Sequence, residues 1–93
     1  MIRSFRCKDT EKIFSRTFCR KFPQTIQLIA FRKLRMLNRA ASLKDLLIPP
    51  ANRLERLQRD RRGQYSIRIN DQWRICFIWH EGDAHHVEIT DYH

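Results

Sequence analysis

The last three residues of the chain, Asp91-Tyr92-His93, place a carboxylate, a phenol and an imidazole side by side. The unperturbed pKa of imidazole lies near neutrality, so His93 is a candidate general acid or base. Tyr92 is then a proton carrier or a surface on which a base could stack. Chain ends also concentrate disorder, and a frayed terminus without function is the competing interpretation. The choice depends on what the fold places beside these residues.

Two arginines form a second candidate site. Arg68 and Arg74 flank the turn-forming residues Asn70-Asp71-Gln72, at positions that alternate with apolar side chains. In a hairpin this pattern puts both guanidinium groups on the sheet face away from the core, where they could hold a phosphate and stabilise charge developing on it. Ordinary charges on the exposed face of a half-buried sheet explain the same pattern.

A run of arginines without lysine precedes this hairpin. The planar guanidinium fork suits bidentate phosphate contacts and stacking on bases better than an ammonium does. The run therefore favours RNA binding, and a solvated charged surface is the alternative. Its members are Arg53, Arg56, Arg59, Arg61 and Arg62.

Length and composition restrict the class of protein. The 93 residues predict one domain, residues 1–93, with a limited core, and 42% hydrophobic residues are typical of a folded chain. No apolar stretch suits a membrane span or a signal peptide, so we expect a cytoplasmic protein. Three widely spaced cysteines favour neither a disulfide framework nor a zinc site, and the histidines have no tetrahedral ligand spacing.

The net charge of +9 is unevenly distributed. Residues 1–44 carry twelve Lys and Arg against Asp9 and Glu11, a net of +10, whereas residues 45–93 carry seven against eight acids, a net of −1. Such a field attracts acidic partners and accelerates association with them.

Periodicity predicts helices in the first half of the chain. Residues 2–6 alternate as a short edge strand, and Asp9 and Thr10 offer caps for a helix that extends to about Phe18. Ser42 and Asp45 suggest a capping box for a short third helix before Pro49-Pro50. A longer second helix begins near Pro23. Its apolar stripe comprises Ile26, Ile29, Ala30, Leu34 and Leu37. Its exposed flanks carry Arg32, Lys33, Arg35 and Arg39.

The second half has a period of two. Residues 65–69, 73–79 and 87–90 predict three strands of an antiparallel meander, and residues 53–57 add a strand before them. The predicted class is therefore α+β, with an N-terminal strand and two to three helices packed on a curved antiparallel β-meander. This meander brings the end of the chain beside Arg74.

Two separated motifs resemble a known family. The segment QYSIRINDQWRICF, residues 64–77, and the closing Asp91-Tyr92-His93 are similar to the HigB toxins of the RelE superfamily, and the order of elements agrees along nearly the whole chain. The resemblance implies a bacterial type II toxin that enters the A site on the 30S subunit of the 70S ribosome, against rRNA, and cleaves translated mRNA. It also implies a HigA-like helix-turn-helix antitoxin as partner, with operator DNA bound only through the toxin–antitoxin complex, and no membrane.

The same resemblance assigns roles to residues. Arg74 would stabilise the scissile phosphate, while Asp91, Tyr92 and His93 would orient the RNA, activate the 2′-hydroxyl or protonate the leaving 5′-oxygen. The ribose supplies the nucleophile, so no metal and no cofactor are expected.

One departure from the family pattern affects the expected activity. Better-studied members place a histidine and a lysine about where Glu55 and Gln58 stand here. Either Glu55 substitutes for the base, or Arg53, Arg56 and Arg61, with Arg68, take over phosphate binding. Loss of one proton-transfer group costs on the order of 10² to 10⁴ in rate, so weak toxicity is predicted. A non-catalytic RNA-binding or protein-interaction module is the alternative function.

Overall fold

Two α-helices pack against one four-stranded antiparallel sheet in residues 1–91, the part of the chain that this computed structural model describes. The strands lie in the order of the sequence, each paired with the next. This confirms the predicted α+β class, while Tyr92 and His93 lie outside the described residues. The elements are α1 (Lys8–Phe14), α2 (Gln24–Arg39), β1 (Glu55–Arg56), β2 (Gln64–Arg68), β3 (Trp73–His80) and β4 (Asp83–Asp91).

The N-terminal segment completes the sheet along the outer edge of β4. It forms two isolated parallel bridges, Ile2 with Ala84 and Phe5 with Val87, in place of the continuous edge strand predicted for residues 2–6. Thr10, expected as a helix cap, is fully buried, and its hydroxyl accepts a hydrogen bond from the Ile89 amide at 2.9 Å. The segment therefore satisfies backbone groups that β4 would otherwise expose at the sheet edge.

Helix α1 is shorter than predicted. It ends at Phe14 and not near Phe18, because Arg16 has a φ of 62° and the left-handed conformation ends the helix. The connection to α2 follows, and Phe18 in it is 59% exposed.

Helix α2 buries its apolar stripe against the sheet. Its buried residues are Ile26, Ala30, Leu34 and Leu37, whereas Ile29 is 40% exposed, contrary to its predicted place in the stripe. At 100° per residue, Ile29 lies on the rim of the stripe defined by the other four. The sheet contributes Ile67, Ile75, Phe77 and Val87 to the same core.

Short 3₁₀-helices connect α2 to the sheet. The predicted third helix is the 3₁₀-helix Leu43–Leu47, and its capping box is present. Asn52 lies fully buried at the end of the next, Pro50–Asn52, where its amide donates to the Leu46 carbonyl at 3.1 Å. Lys33 donates to the Asn52 side chain, so it is half-buried and not on an exposed flank, and burial lowers its pKa.

Strand β1 is also shorter than residues 53–57. Arg53 has a φ of 44°, a left-handed conformation that interrupts regular strand pairing, and pairing with β2 begins at Glu55. None of the helices in residues 1–91 is long and apolar enough to cross a membrane.

Candidate functional site: an arginine-bearing sheet face

The candidate site lies on the sheet face turned away from the two helices. Ile67 and Ile75 face the helices, and because side chains alternate along a strand, Ser66, Arg68 and Arg74 project from the other side. Residues directly opposite on paired strands share a face, which extends the surface to β1 and β4. We call this surface the arginine face; it comprises Glu55, Ser66, Arg68, Arg74, Cys76, Glu88 and Thr90.

Arg74 is held in one orientation at the centre of this face. Only 7% of the residue is exposed. Its Nε donates to the Ser66 hydroxyl at 2.7 Å, and its Nη2 donates to the Arg53 carbonyl at 2.6 Å and more weakly to the Ser66 carbonyl at 3.4 Å. These three acceptors are neutral groups, and they fix the plane of the guanidinium.

Arg53 contributes to this arrangement through its backbone. Its left-handed conformation occurs where the 3₁₀-helix Pro50–Asn52 ends. Non-glycine residues rarely adopt this conformation, and such residues cluster at functional sites. The Arg53 side chain is itself exposed.

Arg68 lies directly opposite Arg74 on the neighbouring strand. Its guanidinium forms a salt bridge with Asp71 in the hairpin turn. The Asp71 side chain is 98% exposed, so this ion pair is a weak one that a stronger anion can replace. Two like charges at directly paired positions oppose folding and favour the binding of an anion between them.

Arg61 joins the same face through an ion-pair cluster. Its Nη1 donates to Gln64 Oε1 at 3.2 Å and to Glu88 Oε2 at 3.3 Å, and Arg6 donates to the same Glu88 oxygen at 3.4 Å. The cluster ties the N-terminal segment and the loop before β2 to β4. An RNA phosphate bound by Arg61 would therefore compete with Glu88.

Cys76 is fully buried on this face and is a free thiol. Burial raises the pKa of the Cys76 thiol, so it stays protonated and is a poor nucleophile. Residues 1–91 contain no group of three or more His, Cys, Asp or Glu side chains arranged to hold a metal ion.

The two β1 residues project to opposite sides. Glu55 is exposed on the arginine face, directly opposite the Ser66 that anchors Arg74. Arg56 pairs with Tyr65, whose ring stacks on Phe77 on the helix side of the sheet. The structure therefore places Glu55 on the arginine face and Arg56 on the other side of the sheet.

Asp91 ends β4 beside this site. It pairs with Trp73, one position from the pair of Thr90 with Arg74, and its Oδ2 accepts a hydrogen bond from Gln72 at 3.1 Å. This pairing brings Asp91 one position along the strand from the residue opposite Arg74, and alternation places the Asp91 side chain on the face of Trp73. The predicted site residues Tyr92 and His93 lie outside the described part of the chain.

Sequence reasoning missed Ser66 and the Arg53 carbonyl as the groups that hold Arg74. The sequence did indicate that Ser66 lies near the arginines, because Ser66 stands two residues before Arg68 and therefore on the same face of the predicted strand. The role of the Arg53 carbonyl depends on a left-handed backbone, for which an arginine in the sequence gives no signal.

Comparison with known structures identifies this architecture. The chain superimposes on a chain of the YoeB-YefM complex from Staphylococcus aureus with a TM-score of 0.61 and 18% sequence identity, covering 100% of this chain and 98% of that one. The two chains therefore share a fold.

Sequence comparison identifies the family. The family model of the RelE-like toxin of the type II toxin–antitoxin system HigB matches residues 3–93, and the chain belongs to this family. Toxin HigB-1 of Vibrio cholerae is 45% identical over 65 residues, 70% of this chain and 68% of that protein. Endoribonuclease HigB of Proteus vulgaris is 32% identical over 94 aligned positions that span both proteins completely.

Proposed function

We propose that this toxin is a ribosome-dependent endoribonuclease that cleaves mRNA in the A site of the 30S subunit. In this proposal it acts in the cytoplasm and is neutralised by a HigA-like helix-turn-helix antitoxin. The observation that carries the proposal is Arg74, buried and oriented by Ser66 and the Arg53 carbonyl, directly opposite a second arginine, Arg68. The Proteus vulgaris relative, named an endoribonuclease, supports the same activity.

The reaction requires charge stabilisation at a phosphate. The 2′-oxygen of the mRNA attacks the adjacent phosphorus and loses its proton, the bond to the 5′-oxygen breaks, and that oxygen takes up a proton. A cyclic 2′,3′-phosphate and a free 5′-hydroxyl result. Arg74 stabilises the negative charge that develops on the phosphate oxygens, because a preorganised donor needs no reorientation during the reaction.

Proton transfer is assigned to the end of the chain. In this proposal Asp91, at the end of β4 and paired with the Trp73 that precedes Arg74, orients the RNA together with Tyr92. The unperturbed pKa of an imidazole lies near neutrality, so His93 is assigned the role of accepting or donating the proton. Because the ribose provides the nucleophile, the reaction needs no metal ion.

Glu55 is the second candidate for proton transfer. It is exposed and lies opposite Ser66, one strand away from Arg74. A carboxylate is intrinsically a weaker base than an imidazole and accepts a proton less effectively. We therefore expect slow cleavage and weak toxicity.

RNA binding is assigned to the arginines around this face. Arg53, Arg61 and Arg68 surround Arg74 and could contact phosphates on both sides of the cleavage site. Arg56 projects from the other side of β1, where it could contact only RNA that wraps around the sheet edge.

The proposal can be tested by inducing the toxin in cells that lack its antitoxin and mapping mRNA 5′ ends on translating ribosomes. The wild-type protein is compared with Arg74→Ala, His93→Ala and the matched control Arg39→Ala, which removes an exposed arginine of α2. New 5′ ends are expected with the wild type and the control, and their loss is expected with the two site variants.

Two results would overturn the proposal. Unchanged growth with no new 5′ ends for the wild type would exclude a ribosome-dependent nuclease. Ribosome binding without cleavage, unaltered by His93→Ala and weakened by Arg53→Ala, would support the alternative of a non-catalytic RNA-binding module.

A further inference from the structure

An apolar groove lies on the helix layer, on the other side of the sheet from the arginine face. It has a volume of about 240 Å³ and lies between α1, the connection that follows it, and α2. Its lining includes Phe18, Leu28 and Phe31, with Ile13 at its base. The proposed mRNA cleavage uses none of these side chains.

The groove is bordered by large apolar side chains that the fold does not bury. Phe18 is 59% exposed and Leu28 is 56% exposed, and both line the groove. Single exposed apolar residues are normal, but two large ones beside one groove indicate a docking surface. Helical spacing places Leu28 on the side of α2 opposite its buried stripe, so core packing does not explain it.

The border of the groove is strongly basic. The guanidinium of Arg16 lies 5.0 Å from the centre of the Phe31 ring, and that of Arg35 lies 5.8 Å from it. Arg20 and Lys21 follow in the same connection, in the half of the chain whose net charge is +10. A partner that fits this groove must combine apolar side chains with negative charge.

We infer that the groove is the docking site for an acidic protein segment whose apolar side chains enter between Phe18 and Leu28. The inference rests on the proposed function in one respect, since the partner that would supply the segment is the antitoxin. The exposed aliphatic Leu28 favours a protein segment over RNA, because bases gain no stacking on it, and RNA binding to the rings of Phe18 and Phe31 is the alternative that the test distinguishes.

The test introduces repulsion at the groove. Leu28→Glu and Phe18→Glu place a carboxylate where the acidic segment would lie, and both positions are exposed enough to tolerate the change. Ile48→Glu is the matched control, because Ile48 is 74% exposed and does not line the groove. Arg35→Glu is a second type of variant, which reverses a border charge and leaves the apolar lining intact.

Each toxin variant is mixed with the antitoxin expressed from the neighbouring reading frame, and affinity is measured by isothermal titration calorimetry. Cleavage by the free toxin and its melting temperature are measured in parallel. Leu28→Glu and Phe18→Glu are expected to lower affinity at least about tenfold, with cleavage retained and melting temperature unchanged. Arg35→Glu is expected to weaken binding less and to reduce its salt dependence, and Ile48→Glu is expected to bind normally.

Three outcomes would overturn the inference. Wild-type affinity in both groove variants would show that the segment docks elsewhere. Loss of ribosome-dependent cleavage with normal antitoxin affinity would assign the groove to the ribosome. A wild-type dimer that Leu28→Glu converts to a monomer, again with normal affinity, would assign it to a second copy of the chain. Failure of the proposed function has a different signature, because the wild-type toxin would then cleave no mRNA.

Discussion

Replacing Ser66 with alanine tests whether the orientation of Arg74 controls activity. The change removes the hydroxyl that accepts from Arg74 Nε at 2.7 Å, and it leaves the bond to the Arg53 carbonyl in place. Ser66 is fully buried, so the smaller alanine introduces no steric clash. The variant therefore alters the arginine mainly through one hydrogen bond.

The magnitude follows from the type of hydrogen bond. A hydrogen bond to a charged group contributes about 1.5 to 3 kcal/mol, and in a domain of this size 1 kcal/mol shifts the melting temperature by about 4 to 8 °C. We expect Ser66→Ala to lower the melting temperature by roughly 6 to 24 °C. If the same energy is lost from the transition state, cleavage slows on the order of 10- to 100-fold at a temperature where the variant is folded.

The assay is single-turnover cleavage of mRNA on ribosomes. Ser66→Ala is measured in the otherwise wild-type protein and in Arg74→Lys. In Arg74→Lys the Nε donor is absent, so Ser66→Ala should cause little further loss of cleavage there. Cys76→Ala is the control for packing, because Cys76 is equally buried on the same face; it should lower the melting temperature with little effect on cleavage. Equal losses of cleavage in both backgrounds would refute the positioning role of Ser66.

Three other predictions concern binding, catalysis and pH. Arg53→Asn introduces a residue that tolerates the left-handed conformation. It should reduce the slope of log affinity for the ribosome against log salt concentration by about 1, the equivalent of one phosphate contact. Arg56→Ala should reduce this slope less. Glu55→His should raise the single-turnover cleavage rate at least about tenfold, and no increase would exclude this position from proton transfer. Hydrogen bonds from Arg3 and the N-terminal ammonium hold the pKa of Asp83 below its usual value, so its stabilising effect is present above the ordinary carboxyl pKa and disappears as pH falls through the lowered one. Asp83→Asn should therefore lower the melting temperature at pH 7, and this difference should shrink as the pH falls below the ordinary carboxyl pKa.

The strand pattern was predictable because its signal is local. Alternation from Tyr65 to Ile69 and from Trp73 to Trp79 assigns each residue to a face, and the short turn between the two strands sets their register. Arg68 and Arg74 were therefore placed on one face by the sequence alone. Their direct pairing followed from the same register.

The groups that hold Arg74 were harder to predict because they come from distant parts of the chain. The Arg53 carbonyl reaches Arg74 only because the backbone turns left-handed after Asn52. Asn52 is itself fully buried by contacts to α2 and to the preceding 3₁₀-helix. A polar residue before an arginine run predicts a surface loop, and only tertiary packing shows otherwise.

The pairing of Arg68 with Arg74 is better explained by function than by folding. Like charges at directly opposed positions destabilise a sheet by a few tenths of a kcal/mol to about 1 kcal/mol, and burial of an arginine adds a desolvation cost. The exposed Asp71 offsets little of this, because surface ion pairs contribute about 0 to 1 kcal/mol. A bound phosphate would offset both costs by accepting hydrogen bonds from the two guanidinium groups. Since local conflicts of this kind concentrate at functional sites, removing one charge should stabilise the free toxin while it weakens RNA cleavage. Arg68→Gln tests this, because Arg74 is buried and bonded to Ser66 and the Arg53 carbonyl, whereas Arg68 pairs with the exposed Asp71. The melting temperature of this variant should rise or stay equal while its cleavage rate falls.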